Sequence, residues 1–207
     1  MDLDRAFEDS SALAADLASL VDEPLFDDSP RIAVADLACS LALEHWHSVR
    51  LQLQEGLLPS ALVVHRAQFE AIVRSVWLTY AASDADILKL TAKLDLESEQ
   101  AAKNVSQTLH MMEEIERRAP PQAFDALSRF KENSWKALNS YAHAGIHPLR
   151  RHAEGYPTAL VHSVLCNANG LALFSGMQAV VLCGLQPLQR QVIELAAKYP
   201  SCAPPRK

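Results

Sequence analysis

Apolar residues recur along most of this chain at spacings of three and four, the period of a helix with one face on a core. The first run covers 10–21, with Leu13, Leu17, Leu20 and Val21 on one face and Ser10 or Ser11 as cap. An acidic loop with two prolines follows. Ser29-Pro30 then opens a predicted helix over 30–54, because a first-turn proline loses no hydrogen bond there. Gly56 and Pro59 separate it from a strongly apolar helix over 57–82. Ser83-Asp84 caps a short helix over 85–91. An amphipathic helix over 95–118 carries Leu96, Val105, Leu109, Met112 and Ile115 as its stripe, and Pro120-Pro121 stops it. Phe124, Leu127, Phe130, Trp135 and Leu138 point inward from a helix over 124–142. A polar break over 139–152 precedes a long helix over 157–183 and a last one over 187–199. No stretch alternates as a strand does, and no period repeats. The pattern predicts an all-α fold: one domain over 1–207, a helical bundle of about six to eight helices with two long central ones, frayed at 1–9 and 200–207.

Composition narrows this picture. With 207 residues, 49% hydrophobic and 21% charged, the chain has enough apolar surface for a substantial core. Its net charge of -6 gives no general attraction for nucleic acid, so RNA binding is unsupported by charge alone and needs a local basic patch. Cys39, Cys166, Cys183 and Cys202 make no paired motif and no metal-ligand spacing, and the acidic start has no apolar signal core. Both point to the cytoplasm and to free, buried thiols. Residues 155–189 hold no Asp, Glu, Lys or Arg, long enough to cross a bilayer. His162, Asn167, Asn169 and Gln178 interrupt the run, and amides are costly in hydrocarbon, so a buried core helix is the expectation rather than a membrane span.

Charges are out of place on the apolar helix over 57–82. Arg66, Glu70 and Arg74 follow at spacings of four and fall within about 80° of one another. Val63, Val73 and Trp77 share their sector, while Gln68, Ser75 and Thr79 lie opposite on what reads as the wet face. The arginines can bridge to Glu70 and still offer donors to an anion. The same spacing also suits a structural ion pair of little energetic value, or a buried network that sets helix register. His65 points elsewhere, beside Ile72 and Val76, as a hydrogen-bonded core histidine.

The second candidate is the break itself, with Asn139, Tyr141, His143, His147, Arg150 and Arg151, then His152. His143 and His147 stand four apart, but Gly145 and Pro148 oppose a continuous helix and no Glu lies between them, so no metal is expected. Arg150 and Arg151 suit a phosphate or carboxylate, and equally the cation-favouring end of a helix. A helix break inside a bundle needs hydrogen-bond partners, and packing it against the Arg66–Glu70–Arg74 row would satisfy both sets. His45 and His47 flank Trp46 without forming a motif. There is no nucleophile elbow, Gly-rich phosphate loop or dinucleotide fingerprint, so no cofactor is expected.

An Arg-x-x-x-Glu helix followed by a helix ending in a Ser/Asn-x-x-His segment resembles uncharacterised bacterial all-helical families, and loosely the HEPN group, over about residues 60–183. That group's small α-helical domains often dimerise and include RNases of toxin–antitoxin and anti-phage systems. The resemblance implies a homodimer, and His143 as a catalytic candidate with Arg66 or Arg74. The group's signature is an Arg four to six residues ahead of a His; here Lys136, Ala137, Leu138 and Asn139 occupy that stretch before His143, and none is an arginine.

Three readings follow. The chain is a non-catalytic helical interaction protein, with a protein partner in a defence or toxin–antitoxin system; a HEPN-like RNase; or a binder of a small anionic ligand. The distance between His143 and the two arginines separates them: beyond ~10 Å there is no joint site of hydrogen-bond reach.

Overall fold

The computed structural model describes residues 2–103 and 105–204, with ten helices and no strand among them. The all-α class is as the sequence predicts. The count exceeds six to eight at two places. The 95–118 stretch divides into α5 (Leu96–Ala102) and α6 (Thr108–Arg118), and the polar break holds a helix of its own, α8 (Ile146–Glu154). The other helices are α1 (Leu3–Val21), α2 (Pro30–Gln54), α3 (Leu58–Tyr80), α4 (Asp84–Thr91), α7 (Pro121–Ala142), α9 (Thr158–Leu182) and α10 (Gln186–Lys198).

Serine and aspartate set several of the starts. The Ser29 hydroxyl accepts from the Ile32 N–H with Pro30 in the first turn, Ser83 accepts from Asp86, and Asp95 forms a reciprocal capping box with Ser98. The turn between α2 and α3 depends on Gly56, whose φ of 72° lies in the left-handed region that side chains avoid. The two helices pack along each other and against α9, while α6 and α7 cover the remaining side of α3.

Two buried clusters form the core. One gathers Phe69, Ile72, Trp77, Met111 and Leu127; the other Leu13, Leu17, Trp46, Leu58 and Leu165. Phe130 packs against both. The uncharged run lies mostly in α9, long and apolar enough to cross a membrane, yet 67% of its apolar window is buried inside the protein. Its small residues admit close neighbours from the same chain: a side chain at Gly176 would fall 2.5 Å from Leu17 Cδ1.

Polar cross-links run through this core. Asn169 Oδ1 accepts from the Trp46 indole N–H at 2.8 Å and the Ser10 hydroxyl at 3.0 Å, while its Nδ2 donates to the Cys202 carbonyl at 2.9 Å. The Arg50 guanidinium, 6% exposed, donates to Ser10 and Ser11 and lies over the Trp46 ring, with no carboxylate in ion-pair range among the described residues. Ser10 is therefore not a cap; α1 begins at Leu3 with Asp2 as its cap.

Two further expectations change. Gln68 and Ser75, read as the wet face of α3, are fully buried. Gln68 donates to the Ala168 carbonyl and Ser75 to the Ala35 carbonyl, so on a helix enclosed by α2 and α9 the polar residues serve as bolts rather than as solvated surface. At the ends expected to fray, Ala6 is buried near the start of α1, and Cys202 and Ala203 are buried after α10. Met1 and residues 205–207, which share that expectation, lie outside the described residues.

Candidate functional site

The charged row of α3 faces α7 at half-burial, not full enclosure: the side chains of Arg66 and Glu70 are 23% and 37% exposed. An aromatic stack holds the two helices together. Phe69 of α3 lies on Phe130 of α7 at 4.8 Å between ring centres and meets Trp135 edge-on at 5.7 Å. Trp135 in turn carries Arg66, whose guanidinium carbon sits 5.1 Å from the ring centre. Arg66 Nε donates to Glu70 Oε1 at 3.1 Å. A half-exposed pair of this spacing is worth about 0.3–0.5 kcal/mol and the ring contact about 0.5–1 kcal/mol. Their combined effect is to aim the guanidinium rather than to hold the fold.

The group it aims at is His143. Arg66 Nη1 reaches His143 Nε2 at 3.5 Å, so the row and the polar break do meet. A guanidinium only donates, so the imidazole nitrogen is the acceptor side of this contact. His143 is the exposed C-cap residue that follows α7. The chain leaves α7 through a Schellman turn: Gly145 N–H donates to the Ser140 carbonyl at 2.7 Å and Ala144 N–H to the Tyr141 carbonyl at 3.4 Å. Ala144 occupies the left-handed position, φ 49°, that such turns usually give to glycine. A side chain at Gly145 would meet Ser140 Oγ at 2.5 Å, so a larger residue there forces the turn or the serine to shift.

The remaining candidates divide. Arg74 is half-buried; burial lowers its pKa and the nearby Glu70 charge opposes that. Tyr141 is buried, its phenol pKa raised by burial against the pull of Arg151, and its ring lies 6.2 Å from His147. The His147 N–H donates to Ser140 Oγ. His143 and His147 thus sit on opposite sides of a turn, not on one helix face. Arg150 pairs with Glu154 on the outer side of α8, and His152 meets the Tyr156 hydroxyl. The Asn139 carbonyl accepts from the His143 N–H at 3.1 Å. No three His, Cys, Asp or Glu side chains converge on a metal position among the described residues. His65 is buried as expected, its Nδ1 hydrogen-bonded to Gln68 Oε1 and its pKa pushed down to about 4 by burial.

Two members of the site carry no sequence signal of membership. Trp135 reads as an inward core residue and does reach the core, but with one face given to Arg66. Glu114 sits on the polar side of an amphipathic stretch, yet it accepts the Trp77 indole N–H at 2.6 Å beside the row.

A family model matches residues 39–205, four-fifths of the chain. The chain belongs to a family of unknown function, DUF6988. The DUF6988 match takes in Arg66, Glu70, Arg74, Trp135 and the whole 139–152 segment; α1 and the first turns of α2 precede it. No curated protein and no solved structure matches this chain.

Proposed function

We propose that this chain is a non-catalytic helical binding protein for a phosphate-bearing partner, RNA foremost, and that the partner is held at the Arg66–His143 junction. The observation that supports this reading is the 3.5 Å contact between Arg66 Nη1 and an exposed His143, beside Arg74. A guanidinium pre-oriented on an aromatic face spends little entropy on binding a phosphate oxygen, and its second Nη stays available as a donor. Arg151 on α8, near enough to act on the Tyr141 phenol, adds a further cation to an otherwise acidic protein. The reading includes a cytoplasmic homodimer, in a bacterial defence or toxin–antitoxin setting.

The same contact favours a second reading, a HEPN-like RNase. His143 Nε2 would take the proton of a ribose 2′-hydroxyl as its oxygen attacks phosphorus. The 5′-oxygen would leave with a proton taken from water, giving a 2′,3′-cyclic phosphate and a 5′-hydroxyl end, and Arg66 would neutralise charge on the phosphorus oxygens.

One experiment tests both. Fluorescence anisotropy with a single-stranded RNA oligomer compares wild type, Arg66→Ala and His143→Ala, and the same samples run on a gel report cleavage. At least tenfold weaker binding by Arg66→Ala, with intact RNA throughout, is the expected result. Cleavage lost in His143→Ala shifts the assignment to the RNase. Equal RNA affinity in all three proteins overturns the site.

A further inference from the structure

A second site lies away from the charged row, and it exists because α7 and α9 both pack on α3 without packing closely on one another. The gap between them is a cleft of about 580 Å³, the size that takes a small organic molecule. Phe130 from α7 and Leu171 and Phe174 from α9 give it apolar walls. Pro204 closes it near Gly170, where a side chain would fall 2.5 Å from the proline ring.

Polar groups from both helices line this apolar cleft. Arg129 makes no ion pair among the described residues, although Asp125 and Glu132 are near it on the same helix. Asn167, on the α9 side of the cleft, is half-buried and its amide has no hydrogen-bond partner among the described residues. It stands in contrast to its neighbour Asn169, whose amide is fully engaged. Asn133 spends its Nδ2 on the Arg129 carbonyl. No acidic side chain lines the cleft.

We propose that this cleft binds an aromatic carboxylic acid. The ring system lies between Phe130 and Phe174, and the carboxylate accepts from the Arg129 guanidinium and the Asn167 amide. A guanidinium lacking a counterion and an amide lacking a partner are both donors, and an apolar cleft between them discriminates in favour of a flat body carrying one anionic group. The inference is independent of the Arg66–His143 reading, since Arg129 and Asn167 take no part in that site and only Phe130, which packs α7 on α3, is common to both.

Isothermal titration with 2-naphthoate and its neutral analogue 2-naphthamide tests the assignment on the full chain. The expected result is binding of naphthoate with Kd below about 1 mM, at least tenfold tighter than the amide. Arg129→Glu, at an exposed position, and Asn167→Asp, nearly isosteric, each weaken naphthoate at least tenfold while the melting temperature stays close to wild type. Absence of binding by naphthoate, equal binding of acid and amide, or affinity unchanged in both variants overturns it. Sedimentation velocity runs alongside; naphthoate that binds only by splitting a dimer would make the cleft a chain–chain interface and also overturn it.

Discussion

Arg66 and His143 are 77 residues apart in the chain and 3.5 Å apart in the fold. Neither helix brings this about alone. The Phe69–Phe130 stack brings α7 onto α3, the Schellman turn at Ser140–Gly145 stops α7 at the right residue, and Trp135 with Glu70 turns the guanidinium toward the imidazole.

If Trp135 acts as a platform for Arg66, the two residues are energetically coupled. A double-mutant cycle of Arg66→Ala and Trp135→Leu, read by urea unfolding, is expected to give about 0.5–1 kcal/mol of coupling. Purely additive losses would mean that the ring is only a neighbour.

Asn169 joins α1, α2 and the C-terminal segment through three hydrogen bonds. Asn169→Leu strands the Trp46 indole N–H, the Ser10 hydroxyl and the Cys202 carbonyl in the core, and is expected to cost about 3–5 kcal/mol. Trp46→Phe removes one of the same donors and leaves no buried N–H behind, so its cost through this network should be clearly smaller. Equal losses in chemical denaturation would contradict the network.

His65 makes stability depend on pH. It is buried beside Phe130, with Nε2 unpartnered, and its pKa in the folded chain is pushed down to about 4 from an ordinary 6.5. Between those values the unfolded chain holds the extra proton and the folded chain does not. Stability from this group is therefore full above about pH 6.5 and is lost as pH falls toward 4, by about 3 kcal/mol. Urea midpoints for wild type and His65→Leu across pH 4–7 check this: the wild-type slope should be steeper, whatever the absolute stability of the variant.

Ala144 carries a positive φ that costs an L-residue about 1–2 kcal/mol, and glycine returns part of that gain through its greater freedom in the unfolded chain. Ala144→Gly should stabilise the protein by about 0.5–1 kcal/mol, with a raised melting temperature and unchanged RNA affinity. A lowered melting temperature would show that the turn does not bear this strain.

All four cysteines are buried and free, and burial drives their pKa values up, to about 12 for Cys39 and Cys202 and about 11 for Cys166. Native protein at pH 8 should react slowly with a disulfide reagent such as Ellman's, and all four thiols should react once it is unfolded. Fast reaction of a single thiol in native protein would locate an opening in the core.

The periodic apolar spacing predicted the all-α class and most helix starts, because capping serines and first-turn prolines act locally. It misplaced the surface of α3. Gln68 and Ser75 read as wet because polarity usually marks solvent, but here they bond to carbonyls of α9 and α2 that only the packing supplies. It also missed α8 within the polar break, where Pro148 stands in the first turn and so interrupts nothing.

By itself the sequence determined that the chain is helical, that Arg66, Glu70 and Arg74 share one side of α3, and that a helix ends near Ala142. These follow from the fixed rise and rotation of a helix and from the restraints that proline and glycine place on the backbone. Only the tertiary structure decided that His143 meets Arg66, that Trp135 supports it, and that α7 and α9 stand apart to leave a cleft. Those are relations between helices, and they depend on which side chains interlock across α3, a matter of shape and volume that no local spacing encodes.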